Sequence, residues 1–191
     1  MKKTQQLVLS LTLISAVCAA VFAIVNAATK ERIANLGKIK AEEAARAVLP
    51  AGVKVIDTRK IAGEAQDGEV TMFVGYADDA KTQIAGYAVP GLSKKGYGGD
   101  IRLMVGLNPD RTVISYKVLT AAETPGLGSN LTSPAFIARF KDQPADTLAV
   151  TKDGGKIEAI TSATITSRAV CDAIADAAKY IDRIEDKTAR Q

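Results

Sequence analysis

Five hydroxyl side chains lie within seven residues near the C-terminal end of the chain, in the segment Thr161-Ser162-Ala163-Thr164-Ile165-Thr166-Ser167. Apolar residues follow it at steps of three and four, the spacing of the buried face of an amphipathic helix: Val170, Ile174, Ala177, Ala178 and Ile181. The hydroxyl cluster therefore falls in the first turn of a predicted helix. Backbone N–H groups in a first turn are unpaired and carry partial positive charge, so this segment could bind a phosphate. Ordinary capping by Ser or Thr is the alternative interpretation.

A second candidate segment, Glu123-Thr124-Pro125-Gly126-Leu127-Gly128, lies upstream of the hydroxyl cluster. Pro125 fixes one φ angle, while Gly126 and Gly128 permit positive φ or a close backbone approach. This loop could lie against a flat ligand, and a simple glycine turn is the alternative. Another glycine-rich loop, Gly96-Tyr97-Gly98-Gly99, lacks the third glycine, the following helix and the acidic residue of a dinucleotide fingerprint. A Rossmann domain is therefore not expected.

Together the two segments resemble one family. Glu158 followed by Thr161-Ser162-Ala163-Thr164, with the loop at 123–128, is similar to the covalent FMN-binding domain of the G subunit of the Rnf electron-transport complex. The same domain occurs in the C subunit of the sodium-pumping NADH:quinone oxidoreductase. In this family the last Thr of a [Ser/Thr]-Gly-Ala-Thr motif carries FMN through a phosphoester, and an Asp usually lies three residues before the motif. The resemblance places FMN on Thr164, although this chain has Ser162 where Gly is usual and Glu158 where Asp is usual.

The resemblance also implies which residues surround the flavin. It places the loop at 123–128 along the isoalloxazine, with Thr124 and Leu127 as the main contacts and Glu123 and Gly126 beside them. Tyr97 could then pack at the flavin edge.

The phosphate could be received by hydroxyls next to the acceptor, which are Thr161, Ser162, Thr166 and Ser167, with Ala163 as a small neighbour. For each hydroxyl, capping or solvation is the alternative. Arg168 could screen the phosphate charge or point to solvent. Because a threonine hydroxyl is a weak nucleophile, attachment is expected to need a separate flavin transferase, which in the family uses FAD as donor.

Composition excludes several other classes of chemistry. The chain has no histidine, which removes Ser–His–Asp catalysis, His-assisted cysteine nucleophiles and most catalytic zinc sites. Its two cysteines, Cys18 and Cys171, cannot form a disulfide framework or a thiolate metal site. The net charge of +4 is modest, and the basic residues are interspersed with acidic ones. No nucleic-acid partner is therefore expected. Any redox chemistry must come from a bound cofactor.

The N-terminal region predicts a membrane anchor. No charged residue lies between Lys3 and Lys30, and the run 7–28 is long enough to cross a bilayer as a transmembrane helix after a short tail at 1–6. A cleaved signal peptide is the alternative, but the run exceeds its usual apolar region. Counting Lys and Arg on both sides does not place the N-terminus in the cytoplasm. The resemblance nevertheless implies an inner-membrane protein whose flavin domain faces the periplasm.

The rest of the chain must hold the two motifs together. Residues 29–50 are rich in Ala, Glu and Lys and predict a helical stalk or first domain helix, ending at Pro50. Short strand-like runs separated by turn residues follow at 53–56, 70–76, 83–89, 101–107 and 113–119. A short helix from Ser133 to Phe140 and a last strand at 148–151 precede the C-terminal helix. The pattern predicts an α+β FMN-binding domain at 51–191 with a mainly antiparallel sheet and flanking helices.

The functional expectation follows from the resemblance. It implies a membrane-anchored flavoprotein component of an Rnf-type, ion-translocating ferredoxin:NAD oxidoreductase, relaying electrons through covalent FMN. Its partners would be the other membrane subunits of that complex. Two alternatives remain at this point: the C subunit of a sodium-pumping NADH:quinone oxidoreductase, and a non-redox binding or regulatory module on a membrane anchor.

Overall fold

The computed structural model describes residues 2–62 and 69–188. The chain divides into two compact units, the first ending at Lys40 and the second beginning at Ala41. The second unit contains both candidate motifs.

Helix α1 runs without a break from Lys2 to Val48. It ends there because Pro50 disfavours the helical conformation for Leu49, the residue before it. Within the described residues, α1 is the one helix long and apolar enough to cross a membrane. That finding rests on length and composition, which a signal sequence near the N-terminus also satisfies.

Five antiparallel strands form one sheet in the order β1-β2-β3-β4-β5, so each strand pairs with its neighbour along the chain. The strands are β1 (Val55–Ala62), β2 (Glu69–Tyr76), β3 (Ile84–Ser93), β4 (Ile101–Leu107) and β5 (Val113–Thr120). The predicted α+β class and antiparallel sheet are confirmed. The first strand is longer than the predicted run at 53–56 and begins later.

Strand β3 also runs through Pro90 and Gly91, beyond the predicted run at 83–89, although both residue types usually favour turns. In the described part of the sheet, the pairing of β3 with β2 reaches only Ala88, so Pro90 lies where β3 pairs with β4 alone. Proline is tolerated in strands at such edge-like positions. Gly91 faces a helix instead of bending the chain, because a Cβ there would overlap the carbonyl oxygen of Ala173. The close packing of β3 against the helix explains why residue 91 has no side chain.

Each face of the sheet is covered by helix. Helix α3 (Thr164–Thr188) packs on one face, and its predicted apolar stripe is buried as expected, with Val170, Ile174, Ala177, Ala178 and Ile181 all inaccessible to solvent. These residues join a large core with strand residues such as Met72, Val89 and Leu103. On the other face, Phe73, Ala88 and Met104 pack against the last turns of α1, around Ala44, Ala45 and Val48.

The segment between β5 and α3 is built from short turns. Helix α2 (Pro134–Ile137) begins at Ser133, whose Oγ accepts a hydrogen bond from the Phe136 amide, and a 3-10 turn completes the predicted helix to Phe140. The strand predicted at 148–151 does not form. Val150 makes a single parallel bridge to Ile157, and its carbonyl accepts hydrogen bonds from the amides of Asp153 and Gly155, which turn the chain back on itself.

Candidate functional site

A cavity of about 440 Å³ lies at the N-terminus of α3. This volume falls within the range usual for ligand sites, roughly 300 to 1,000 Å³. The fold brings both motifs to it. Most of the residues predicted to surround the flavin and its phosphate line it; those that do not are Pro125, Gly126, Thr161, Ser167 and Arg168. The lining residues are Tyr97, Glu123, Thr124, Leu127, Gly128, Ser162, Ala163, Thr164, Ile165 and Thr166.

Helix α3 begins later than the sequence analysis expected, at Thr164. The carbonyl of Ala163 accepts the hydrogen bond from the Ser167 amide at 3.0 Å, so Ala163 occupies the N-cap position. Alanine has no side-chain oxygen with which to cap the helix. Among the residues that the structure describes, the amides of 164–166 have no hydrogen-bond partner. Three unpaired N–H donors therefore belong to residues that line the cavity, as an anion site requires.

Ser162 adopts the left-handed conformation, with a φ of 60°. An L-residue with a Cβ pays about 1–2 kcal/mol in this region, whereas glycine enters it without that cost. The backbone geometry thus gives a physical reason for the glycine that is usual at this motif position. The conformation turns the chain sharply from the exposed Thr161 into the first residue of α3.

Two of the hydroxyls expected to receive a phosphate are committed elsewhere. Thr166 is buried and donates a hydrogen bond to Glu123 Oε2 at 2.6 Å. Ser167 is also buried; its Oγ donates to the Ala163 carbonyl and accepts a hydrogen bond from the Ile160 amide. Both side chains therefore hold the turn before α3 in shape.

Glu123 links three parts of the cavity wall. Its Oε1 accepts a hydrogen bond from the Gly98 amide at 3.2 Å, and its Oε2 accepts the one from Thr166. Gly128 lies directly against this carboxylate, because a Cβ there would overlap Oε2. The glycine at 128 therefore permits close contact, and the glutamate fixes the loop at 96–99 against the start of α3.

Gly126 shapes the loop from outside the cavity. It has a φ of 75°, and its carbonyl accepts a hydrogen bond from Asn130 Nδ2 at 3.0 Å. The turn leaves Leu127 42% exposed at the cavity. Tyr97 and Ile165, which are 71% and 49% exposed, line the same cavity. Large apolar side chains held open to solvent around one cavity suit a flat, partly apolar ligand. Sequence reasoning did not single out Ile165.

Two basic residues next to the cavity have distinct partners. Arg168 donates to both carboxylate oxygens of Asp153 at 2.6 Å, and this bidentate pairing lowers the pKa of Asp153. Arg168 is therefore paired with a carboxylate, and its role in screening a phosphate stays a prediction. Lys152 donates from Nζ to Thr164 Oγ1 at 3.3 Å. No spacing rule connects Lys152 to the motif, so sequence reasoning missed it.

The cavity thus has a hydroxyl beside a cation and unpaired amides at one end, and exposed apolar side chains around it. This fold and site define an FMN-binding domain, and residues 96–179 match the family model described as FMN-binding domain. The chain belongs to the family formed by the G subunits of ion-translocating oxidoreductase complexes. Its relative of that name in Methanosarcina acetivorans is 32% identical over 96% of this chain and 97% of the relative.

Two further comparisons cover less of the chain. The G subunit of the proton-translocating ferredoxin:NAD(+) oxidoreductase complex of Clostridium ljungdahlii is 42% identical over 56% of this chain and 58% of that protein. The crystal structure of Shewanella oneidensis NqrC is 22% identical, with a TM-score of 0.46 over 69% of this chain and 66% of that chain.

Proposed function

We propose that this chain is the membrane-anchored, flavin-carrying subunit of an Rnf-type complex, with FMN joined to Thr164 through a phosphoester. The observation that carries the proposal is the set of groups that surround the Thr164 hydroxyl. This hydroxyl lies at the cavity beside three unpaired amides and the Lys152 ammonium, with exposed apolar side chains around the same space. A phosphoester at this oxygen would carry one negative charge, which those donors are suited to hold.

The remaining residues fit the rest of the cofactor. Leu127 and Ile165 offer apolar contacts, Tyr97 an aromatic one, and Thr124 a hydroxyl near the loop backbone. When bound, FMN supplies one-electron and two-electron transfer. The chain's own residues bind and orient the cofactor, and Glu123 holds the two walls of the cavity together.

We further propose that electrons pass through this site from reduced ferredoxin towards NAD⁺, and that the multi-helix partner subunits move the ion. The name of the Clostridium ljungdahlii relative supports this host. The C subunit of a sodium-pumping NADH:quinone oxidoreductase is the less supported candidate, because the curated relatives are named as G subunits.

Attachment is tested by coexpressing the full chain with and without a bacterial flavin transferase. We expect ultraviolet-excited fluorescence of the denatured band only with the transferase, and a mass increase of one FMN on the peptide that contains Thr164. An unmodified chain in the presence of an active transferase would contradict the proposal. An adduct on another residue would show that the acceptor is not Thr164.

The proposed domain plan is a tail at 1–6, a transmembrane helix at 7–28, a stalk or first domain helix at 29–50, and the flavin domain at 51–191 on the periplasmic side. Cys171 is a poor topology probe, because burial, with a contribution from the charge of Asp172, raises the pKa of its thiol to about 12. We would instead replace the exposed Lys141 with cysteine in a chain lacking Cys18 and Cys171.

A membrane-impermeant maleimide added to intact cells should label the Lys141→Cys chain. Labelling only after the cytoplasmic membrane is opened would reverse the proposed orientation. The host complex is tested by a blue-native gel of detergent-solubilised membranes, in which this chain should migrate with other membrane subunits.

A further inference from the structure

We propose that Lys152 stabilises negative charge at the Thr164 oxygen while FMN is attached and in the finished phosphoester. The inference rests on the proposed function, because it concerns the same acceptor oxygen. Lys152 would then be a residue of the attachment site and not an ordinary solvated lysine.

The first support is a direct contact. Lys152 Nζ lies 3.3 Å from Thr164 Oγ1, the atom that would carry the phosphorus. Within the described parts of the chain, Lys152 makes no ion pair with a carboxylate. No carboxylate among the described residues therefore neutralises the charge of Lys152. An ammonium donor at this distance stabilises an oxyanion more than the neutral hydroxyl from which it forms.

The second support is the way the backbone holds Lys152 in place. Lys152 lies in a 3-10 turn, Thr151–Asp153, that ends at Gly154 in the left-handed conformation. The next residue, Asp153, makes the bidentate pair with Arg168, which lies one helical turn beyond Thr164 on α3. Two adjacent residues of the turn thus contact two positions on one face of the helix. The Asp153–Arg168 pair positions Lys152 opposite the acceptor.

The chemistry of attachment explains why a cation is useful there. Thr164 Oγ attacks the FMN phosphorus of FAD, a new O–P bond forms, and the bond from that phosphorus to the bridging oxygen breaks. AMP leaves with the bridging oxygen, and the hydroxyl proton passes to a base of the transferase or to solvent. No electrons are transferred. Negative charge grows on Oγ and the phosphoryl oxygens as the proton is lost, and Lys152 lies next to it.

The test uses the full-length apo protein in detergent, purified flavin transferase and FAD, with adduct formation followed by intact mass. At saturating acceptor, Lys152→Met should lower the rate of attachment about ten-fold or more. This is less than the loss usually seen when one charge-stabilising donor is removed from an enzyme's active site. Lys152→Arg should restore most of the rate, because it keeps the charge. Arg168→Gln should lower the rate in the same direction by loosening the turn.

Lys156→Met is the matched control, since Lys156 is an exposed lysine near the same turn and, unlike Lys152, makes no hydrogen bond to Thr164 within the described residues. Its rate should equal that of wild type. A second readout does not depend on turnover: the ³¹P resonance of FMN-loaded Lys152→Met should be displaced from that of loaded wild type, and loaded Lys156→Met should match wild type.

The failure of this inference differs from the failure of the proposed function. If wild type gains no adduct, the proposed covalent attachment fails. If wild type gains the adduct and Lys152→Met gains it at the same saturating rate, Lys152 has no role in the transfer step. A higher KM with an unchanged saturating rate would show that Lys152 only helps the transferase to dock, and would also overturn the inference.

Discussion

Glu123 Oε2 accepts a 2.6 Å hydrogen bond from Thr166 Oγ1, and this bond joins the loop at 123–128 to the first turn of α3. Thr166 is 1% exposed, so its hydroxyl depends on this partner. Removing one member of a hydrogen bond at a buried position leaves the other unsatisfied. This hydrogen bond thus joins the two motifs that carry the family resemblance.

The first prediction concerns that contact. In a double-mutant cycle on thermal unfolding of the full chain in detergent, Glu123→Ala and Thr166→Val should show a coupling energy of about 1–2 kcal/mol. The control pairs Glu158→Ala with Thr166→Val, because the Glu158 carboxylate instead lies beside Arg139. That pair should be additive. Equal coupling in both cycles would mean that the Glu123 contact has no special role.

The second prediction concerns backbone strain at Ser162. Because the φ of Ser162 is 60°, Ser162→Gly should stabilise the domain by about 0.5–1 kcal/mol. Glycine relieves the left-handed strain, and the greater entropy that it gives the unfolded chain offsets part of this gain. For a chain of this size the net stabilisation corresponds to a rise in Tm of roughly 1–4 °C. Thr161→Gly, at the neighbouring position without positive φ, should lower the Tm. A lower Tm for Ser162→Gly would contradict the strain argument.

The third prediction concerns pH and the Asp153–Arg168 pair. Asp153 has its pKa lowered from 3.8, first by the hydrogen bonds from Arg168. A carboxyl whose pKa is lower in the folded state contributes stability above its unfolded value and loses it as pH falls through the folded value. The Tm difference between wild type and Arg168→Gln should therefore be present at about pH 6 and shrink below pH 3.8. A difference that stays constant or grows towards acid pH would exclude this linkage.

The fourth prediction separates contact with the flavin ring from attachment. Leu127→Glu places a charge at the cavity, so the visible absorption and reduction potential of the bound flavin should shift while the adduct on Thr164 remains. A shift of about 30 mV corresponds to roughly 0.7 kcal/mol for one electron, which the loss of one apolar contact can produce. Ile84→Glu is the control, since Ile84 is 36% exposed and does not line the cavity. Identical spectra and potentials in both variants would place the loop away from the ring.

The fifth prediction identifies the acceptor. Thr164→Val should abolish in-gel fluorescence and the FMN mass increase, with little change in Tm, because Thr164 is only partly buried and valine has nearly the same shape. Thr58→Val, at an exposed position of β1 outside both motifs and the cavity lining, should remain fully modified. An adduct that persists in Thr164→Val would exclude this acceptor.

Features that depend on local pattern could be predicted from the order of residues alone. The three-and-four spacing from Val170 to Ile181 marked the buried face of α3, because one face of a helix repeats with that period. Alternation between apolar runs and turn residues marked the antiparallel strands. The motif resemblance led to the FMN-binding domain, since such motifs are short and contiguous.

Contacts between residues distant in the chain became known only from the folded structure. Lys152 contacts Thr164, and Glu123 contacts Thr166, across intervals for which the chain has no periodic rule. Pro90 and Gly91 carry ordinary turn signals, yet β4 and α3 hold them in a strand. Local propensities amount to about 1 kcal/mol or less per residue for most residue types, so packing overrides them when a strand must fill a place in the sheet. Charged contacts between separate elements are set by the same packing, which is why the residues beside Thr164 Oγ1 emerge only in three dimensions.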